Sequence, residues 1–334
     1  MRRIRTVRRD GHAGTLVIGL LLFHLIFNLS GRGQTNSPGA LTAGFVNNCD
    51  FCLAAQGISP LEAGSSGVRV DLRYLHVGTP YLNGGKIANT DNELETHFTQ
   101  QYSIFYALAP RFTLAGLIPV AKRHSEVLGD GGSPVTGNQF GLADVSLLVR
   151  YKPLESHTMT ATTMVSVAAG MKLPTGRTNG VDSRGNLLDA HIQLGTGSTD
   201  YLAGVSGFLA WERAALIGNL LGAITGKGAN GHRFGDNLNY DVALRYKIYP
   251  AEFGGTQIFA TLGFNGEWRG REVQDGIADA NSGGNVTYIA PGLQLFITPA
   301  ISFEASYNYA LLHGLHGQQL GEDYRILTGV QFLL

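Results

Sequence analysis

The chain has 334 residues and sets 25 lysines and arginines against 25 aspartates and glutamates. A nucleic-acid binder would show a basic excess, so the balance argues against that class. Charged residues make up 15% of the chain and glycine reaches 46 residues, against roughly 25% charge in soluble domains; a membrane β-barrel, whose strands are each half apolar, has this composition.

In chain order, Arg2, Arg3, Arg5, Arg8 and Arg9 precede the apolar run TLVIGLLLFHLIFNL at Thr15–Leu29. A basic region followed by a short apolar run reads as a secretory signal peptide over 1–33, with cleavage near Ser30–Gly33. The run is interrupted by His24 and Asn28 and is short for a spanning helix, which needs about 20 residues. No second apolar run of that kind follows. An exported chain of this sort is periplasmic, secreted, or a barrel in the outer membrane.

Residues 34–66 lack periodicity and read as a flexible segment, periplasmic or folded into a barrel as a plug. They hold Cys49 and Cys52 in NNCDFCLAAQG. An oxidising compartment admits a local disulfide between them. A metal site needs two more ligands and no histidine lies nearby, so no metal is expected. Leu53, not histidine, follows Cys52, which rules out covalent haem.

From 67 to 334 the pattern changes. In DVALRYKIYP, Val242, Leu244, Tyr246 and Ile248 take every second position while Asp241, Ala243, Arg245, Lys247 and Tyr249 fill the gaps. Successive strand side chains point to opposite faces, so this is a two-faced strand. Twelve such segments begin near Val68, Leu94, Phe112, Gln139, Thr158, Ser198, Ala214, Asn237, Thr256, Asn285, Ile301 and Asp323. Long connections are read at Gly78–Glu93, His124–Asn138, Leu173–Gly197, Gly226–Asp236, Gly270–Gly284 and His313–Glu322. Short ones are read at Ala109–Arg111, Pro153–His157, Glu212–Arg213, Pro250–Gly255 and Thr298–Ala300.

Strict alternation of long and short predicts an all-β, antiparallel up-and-down transmembrane barrel of about 12 strands, with short periplasmic turns and long extracellular loops. A Greek-key sandwich has no reason to alternate this way. Tyr201 and Trp211 bound the apolar face of YLAGVSGFLAW, separated by roughly the 25 Å of a lipid band; with Trp268 they are assigned to aromatic girdles. Pro119 and Pro291 lack ladder donors inside strands, and bulges are expected to absorb them.

The polar phase of the strands carries Arg69, Asp71, Arg73, Asp144, Arg150, Lys152, Asp241, Arg245, Lys247, Glu267, Arg269, Glu304 and Arg325. Eight bases minus five acids leaves a lumen excess of three positive charges. On the lipid face each Arg or Lys near the midplane would cost about 2–4 kcal/mol, so their confinement to one phase points to a polar interior. The residues leave two outcomes open: the charges pair and fill the lumen, or a water path remains and favours anions.

Three stretches carry a resemblance: GLADVSLLVRYKP at Gly141–Pro153, GMKLPTGRTN at Gly170–Asn179 and QLGTGSTDYLAGV at Gln193–Val205. Their order and spacing resemble the outer-membrane transporter family linked to the meta-cleavage pathway of phenol degradation, over roughly Val68 to Leu334. The matching positions are Gly141, Asp144, Leu173, Pro174, Thr175, Gly176, Gly195, Thr196, Gly197, Ser198 and Asp200. Read as residues alone, they either fix a loop folded into the barrel mouth or touch solute. The last strand, DYRILTGVQFLL, resembles the signal read by barrel-assembly machinery, although Phe332 is third from the end.

The resemblance implies a barrel in the outer membrane of a Gram-negative-type bacterium and passive uptake of small solutes, among them aromatic or hydrophobic compounds or their carboxylates. The alternative is a structural, adhesive or envelope-sensing barrel with a closed lumen. No G-x-S-x-G, H-E-x-x-H or calcium loop occurs, and neither His76 nor His97 has an evident serine or acid partner. The expectation is therefore no enzyme, no cofactor and no nucleic acid, with outer-membrane lipid, the assembly machinery and a small solute as partners.

Overall fold

The computed structural model describes residues 64–129, 132–249 and 255–334. The signal peptide and the segment holding Cys49 and Cys52 lie outside them.

The wall is built from β1 (Ser66–Leu82), β2 (Leu94–Ala109), β3 (Phe112–Leu128), β4 (Pro134–Leu142), β5 (Ser146–His157), β6 (Ala161–Lys172), β7 (Asp200–Trp211), β8 (Ala214–Ile224), β9 (Asn237–Tyr249), β10 (Gln257–Arg269), β11 (Gly284–Thr298), β12 (Ile301–Leu315) and β13 (Gln318–Leu333). Strands β4 and β5 share one wall position: β4 pairs the upper part of β3 and β5 its lower part. Each other strand pairs antiparallel with its chain neighbours, and β13 returns to β1 in a register running from Gly67↔Leu333 to Leu82↔Gln318. The result is a closed 12-strand antiparallel barrel with no free sheet edge around its middle.

Burial alternates along each strand. On β7, Tyr201, Leu209 and Trp211 are exposed while Asp200, Leu202, Phe208 and Ala210 are buried. The exposed face is the apolar one: Val242, Leu244, Tyr246 and Ile248 of β9 face outward while Asp241 and Arg245 face in. This inversion of the soluble pattern is what a lipid-facing wall requires. Among the described residues no helix is long and apolar enough to cross a membrane.

Two of the connections read as long are mostly strand. Residues His124–Leu128 and Pro134–Asn138 extend the β3–β4 hairpin. The His313–Glu322 stretch is the tip of the β12–β13 hairpin, turned at residues 316–317, with Gly317 at φ +61°. These tips are polar because they stand above the lipid band. At the other end Pro153–His157 belongs to β5, and the turn follows at 158–160.

Both strand prolines sit where the ladder makes no demand, rather than at bulges. Pro119 of β3 faces the gap between β4 and β5, and its carbonyl accepts from Ala143 N–H. Pro291 of β11 falls between Ile289↔Tyr309 and Gly292↔Ser306, where no pairing with β12 is made.

Candidate functional site

The inward faces make a lumen with two unlike walls. One wall, from β2 to β9, is largely apolar. Phe105 of β2, Leu117 of β3, Leu148 of β5, Leu202 of β7 and Ala223 of β8 form one buried cluster that spans several strands. Nearer the short-turn end, Met164, Phe208, Ala210, Ala215, Ile217 and Ala243 form another.

The facing wall, from β9 through β13 to β1, is charged. Arg69 on β1 donates from Nε to Asp71 at 2.8 and 2.9 Å and pairs with Glu304 of β12. Gln294 of β11 adds a 3.4 Å contact to Glu304. Arg73 is buried higher on β1. Asp241 accepts from Asn219 Nδ2 at 2.6 Å. Arg245 and Lys247 both sit 5.8 Å from the Phe259 ring centre, where the ring face attracts cations. The apolar wall is not free of charge: Arg150 of β5 donates to Ser166 Oγ of β6 at 2.9 Å, and Lys152 of β5 pairs with Glu155 near the short-turn rim. Arg69, Asp71, Arg245, Gln101, Gln294 and Asn308 are each 3% exposed or less, so side chains occupy the middle of the lumen.

A second network lies toward the long-loop end. Glu322 of β13 accepts from Arg325 Nε at 2.7 Å, from Arg269 Nη2 at 3.1 Å and from the Tyr288 hydroxyl at 2.5 Å. Arg269 also holds Glu267 at 2.8 Å, and the Arg325 guanidinium stacks 4.4 Å from the Tyr288 ring centre. Sequence reading placed Arg269, Arg325 and Glu267 inside but missed Glu322, which had been counted in a loop.

The family-motif residues meet in one knot. Asp144 lies in the gap between β4 and β5. Its Oδ1 accepts from Gly176 N–H at 2.9 Å, and its Oδ2 accepts from Thr196 N–H and Thr196 Oγ at 2.9 Å each. Lys172 Nζ lies 3.2 Å from Asp144 and 2.6 Å from Asp200. Asp200 also accepts from Ser198 Oγ at 2.7 Å and Gly226 N–H at 3.0 Å. Thr175 bridges the gap itself: its hydroxyl donates to Ala143 O and accepts from Val145 N–H, both at 2.9 Å. A Cβ on Gly176 or Gly195 would come within 2.7 Å of the other's backbone, so the two glycines let the two ends of the loop touch. Leu173 and Pro174 lead out of β6, while Gly197 (φ +71°) turns the chain back toward β7. Gly141 (φ +154°) precedes the break.

The knot anchors the loop 173–199, which lies against the barrel's inner surface. Leu194 packs on Ala121 of β3 and on Ala143, and Ile192 is 1% exposed. Gln193 accepts from Gly180 N–H at 2.8 Å and donates back to Gly180 O at 3.0 Å. The carboxylates of Asp144 and Asp200 are thus engaged within the protein, while Thr175, Arg177 and Thr199 of the same stretches are exposed. Among the described residues no group of three side chains is arranged to hold a metal ion. Trp268 is 49% exposed on the outer face of β10, and Tyr201 and Trp211 stand 62% and 40% exposed at the two ends of β7.

A search of curated protein sequences gave no match. Among solved structures, an outer membrane channel from Pseudomonas putida F1 is 18% identical, with 82% of this chain and 97% of that one covered and a TM-score of 0.61. At that identity the likeness speaks for the barrel fold. The CymD monoaromatic hydrocarbon channel shares 8% identity over 82% of this chain and 88% of that one, with a TM-score of 0.39, too low to carry an argument. The family model described as "Putative MetA-pathway of phenol degradation" matches residues 80–312, which is more than two thirds of the sequence and includes all three motif stretches, and the chain belongs to that family.

Proposed function

We propose that this protein is an outer-membrane channel for passive uptake of small solutes with an apolar, commonly aromatic, body and a negative head group. The observation that carries the reading is the division of the lumen: Phe105, Leu117, Leu148 and Leu202 on one side, Arg69, Arg245 and Lys247 on the other. A purely apolar solute would make no use of the cationic Arg245 and Lys247 on the charged wall, and a fully hydrated ion would not wet the apolar one. An amphipathic anion such as an aromatic carboxylate satisfies both. No chemistry on the solute is invoked, and the barrel-assembly machinery would insert the chain through its C-terminal strand.

Planar-bilayer recording under a salt gradient tests this. Wild type should conduct with anion preference, and Arg245→Glu/Lys247→Glu should shift the reversal potential toward cations. A conducting wild type that prefers cations would overturn the charge assignment. The side chains that fill the mid-lumen favour a second reading, a closed structural barrel. That reading would prevail if neither the full chain nor one lacking residues 34–63 conducts.

A further inference from the structure

Three loops at the long-loop end converge on one carboxylate. Glu272, in the loop 270–283, is held by a bond from its N–H to Ser282 Oγ at 2.9 Å and by a bond from Asp279 N–H to its carbonyl at 2.8 Å. The next residues, Val273–Gln274, form a small sheet with Ile277–Ala278 and with His232–Arg233 of the loop 225–236. His191, from the loop 173–199, places Nε2 3.0 Å from Oε1 of Glu272, and His232 places Nε2 3.1 Å from Oε2. The Phe234 ring meets both imidazoles edge-on, at 5.2 and 4.6 Å between centres.

The His232 ring is oriented by Gln274. Gln274 donates its amide to Asn230 O at 3.0 Å and to Asp275 Oδ2 at 3.1 Å, which turns its Oε1 toward His232 Nδ1 at 3.2 Å. Nδ1 therefore carries a proton. Its Nε2 is buried and, although 3.1 Å from Glu272 Oε2, is not aligned for a hydrogen bond, so His232 packs against the carboxylate without a directed bond to it. The other charged groups around the pair are Asp189, which accepts from His191 N–H at 2.9 Å, Arg269, and Glu95 on β2.

We propose that His191 and Glu272, with His232 packed beside them, form a proton-operated clasp that holds the loop 173–199 across the barrel mouth and releases it when the His191 imidazole loses its proton. The loop held by His191 is the one whose Ile192 and Leu194 are buried within the barrel, so release would uncover the lumen. The inference rests on the channel reading for its functional meaning, but not for its structural readout.

The sign follows from the charges. Burial alone would lower the His191 value, but the bond to Glu272, its charge and that of Asp189 outweigh burial and raise it from 6.5 to about 9. A raised imidazole stabilises the clasped state fully below about pH 6.5, and that stabilisation is lost as pH climbs through 9. Burial would raise Glu272, yet His191, His232 and Arg269 hold it below the ordinary carboxylate range, so release on the acid side is deferred to low pH. The whole shift would be worth roughly 300-fold in the opening equilibrium. Because the His191 side chain is 40% exposed, solvent screening reduces the expected change to about tenfold.

The test uses the full chain in lipid with Cys49 and Cys52 replaced by serine and spin labels at Leu187→Cys and Ile277→Cys, both exposed loop sites. A single short distance at pH 6.5 should broaden at pH 9.5 in the otherwise wild-type chain. Glu272→Gln should be broad at both values, and so should His191→Gln/His232→Gln. An unchanged distribution between the two pH values in wild type, or a Glu272→Gln protein that tracks wild type, overturns the clasp. Bilayer conductance is recorded in parallel. Label movement without any current would refute the channel reading and leave the clasp standing, whereas current that ignores pH while the labels stay fixed would refute the clasp alone.

Discussion

Replacing Asp144 with asparagine should loosen the loop 173–199 without unfolding the barrel. The carboxylate accepts from Gly176 N–H on one oxygen and from Thr196 N–H and Thr196 Oγ on the other. Asparagine keeps one acceptor oxygen and sets an NH2 group against the donors on the other side. Whichever way the amide turns, at least one bond to a charged acceptor is lost, worth about 1.5–3 kcal/mol, and a buried donor is left facing another. Lys172 keeps Asp200 at 2.6 Å, so no lysine is orphaned and the net cost stays near 2–4 kcal/mol, short of the full penalty for breaking a buried ion pair. At 1.4 kcal/mol per tenfold, local opening rises about 30- to 700-fold. Amide exchange at Gly176 and Thr196 reads this directly. Both should accelerate by that factor in Asp144→Asn, while amides in the β1–β13 ladder should not. Unchanged exchange at both positions would show that Asp144 does not hold the loop and that the motif knot has been misread.

Further outcomes are expected. Val205→Arg, midway between Tyr201 and Trp211 on the exposed face of β7, should destabilise the barrel in phospholipid by about 2–4 kcal/mol in urea titrations; a wild-type midpoint would mean this face does not meet lipid. A Cβ at Gly170 would lie 2.1 Å from Leu147 O, whereas Gly207 has open space around it. Gly170→Val should therefore abolish the heat-modifiable folded form on detergent gels, and Gly207→Ala should retain it. Glu322→Gln removes the charge shared by Arg269 and Arg325. It should raise anion preference in bilayers if the lumen conducts, and a shift toward cations would contradict the placement of Glu322 on the inner wall.

The wall was readable because each strand has to present an apolar face to lipid for its whole crossing, so period-2 patterning runs unbroken through segments such as Val242–Ile248. Where strands leave the lipid the requirement stops, and the pattern stops with it. That is why Gln318–Glu322 and Pro134–Asn138 read as loop although they are strand. Asp144 was visible as a charge in a motif, but its hydrogen-bonding to Gly176 and Thr196 crosses 32 and 52 residues and has no periodic signature. The same holds for His191, His232 and Glu272, which come from three loops with no shared spacing and were not singled out. Glu322 escaped notice because the strand that positions it did.

Closure of the wall bears on how the chain reaches its folded form. Apart from the β3–β5 pairing, which skips β4, and the β1–β13 seam, the pairings around the barrel join strands that are neighbours in sequence, several through turns of two or three residues. These hairpins need little chain entropy to form. The β1–β13 seam instead brings together Leu82 and Gln318, and closing about 240 residues costs about 4 kcal/mol more than closing a short turn. That cost falls on a single late event. A chain stopped before Gln318 would therefore not settle into a smaller barrel. It would hold β1 and β12 as two open edges, each a template for the matching edge of another copy, and its fate in the periplasm would be association rather than insertion.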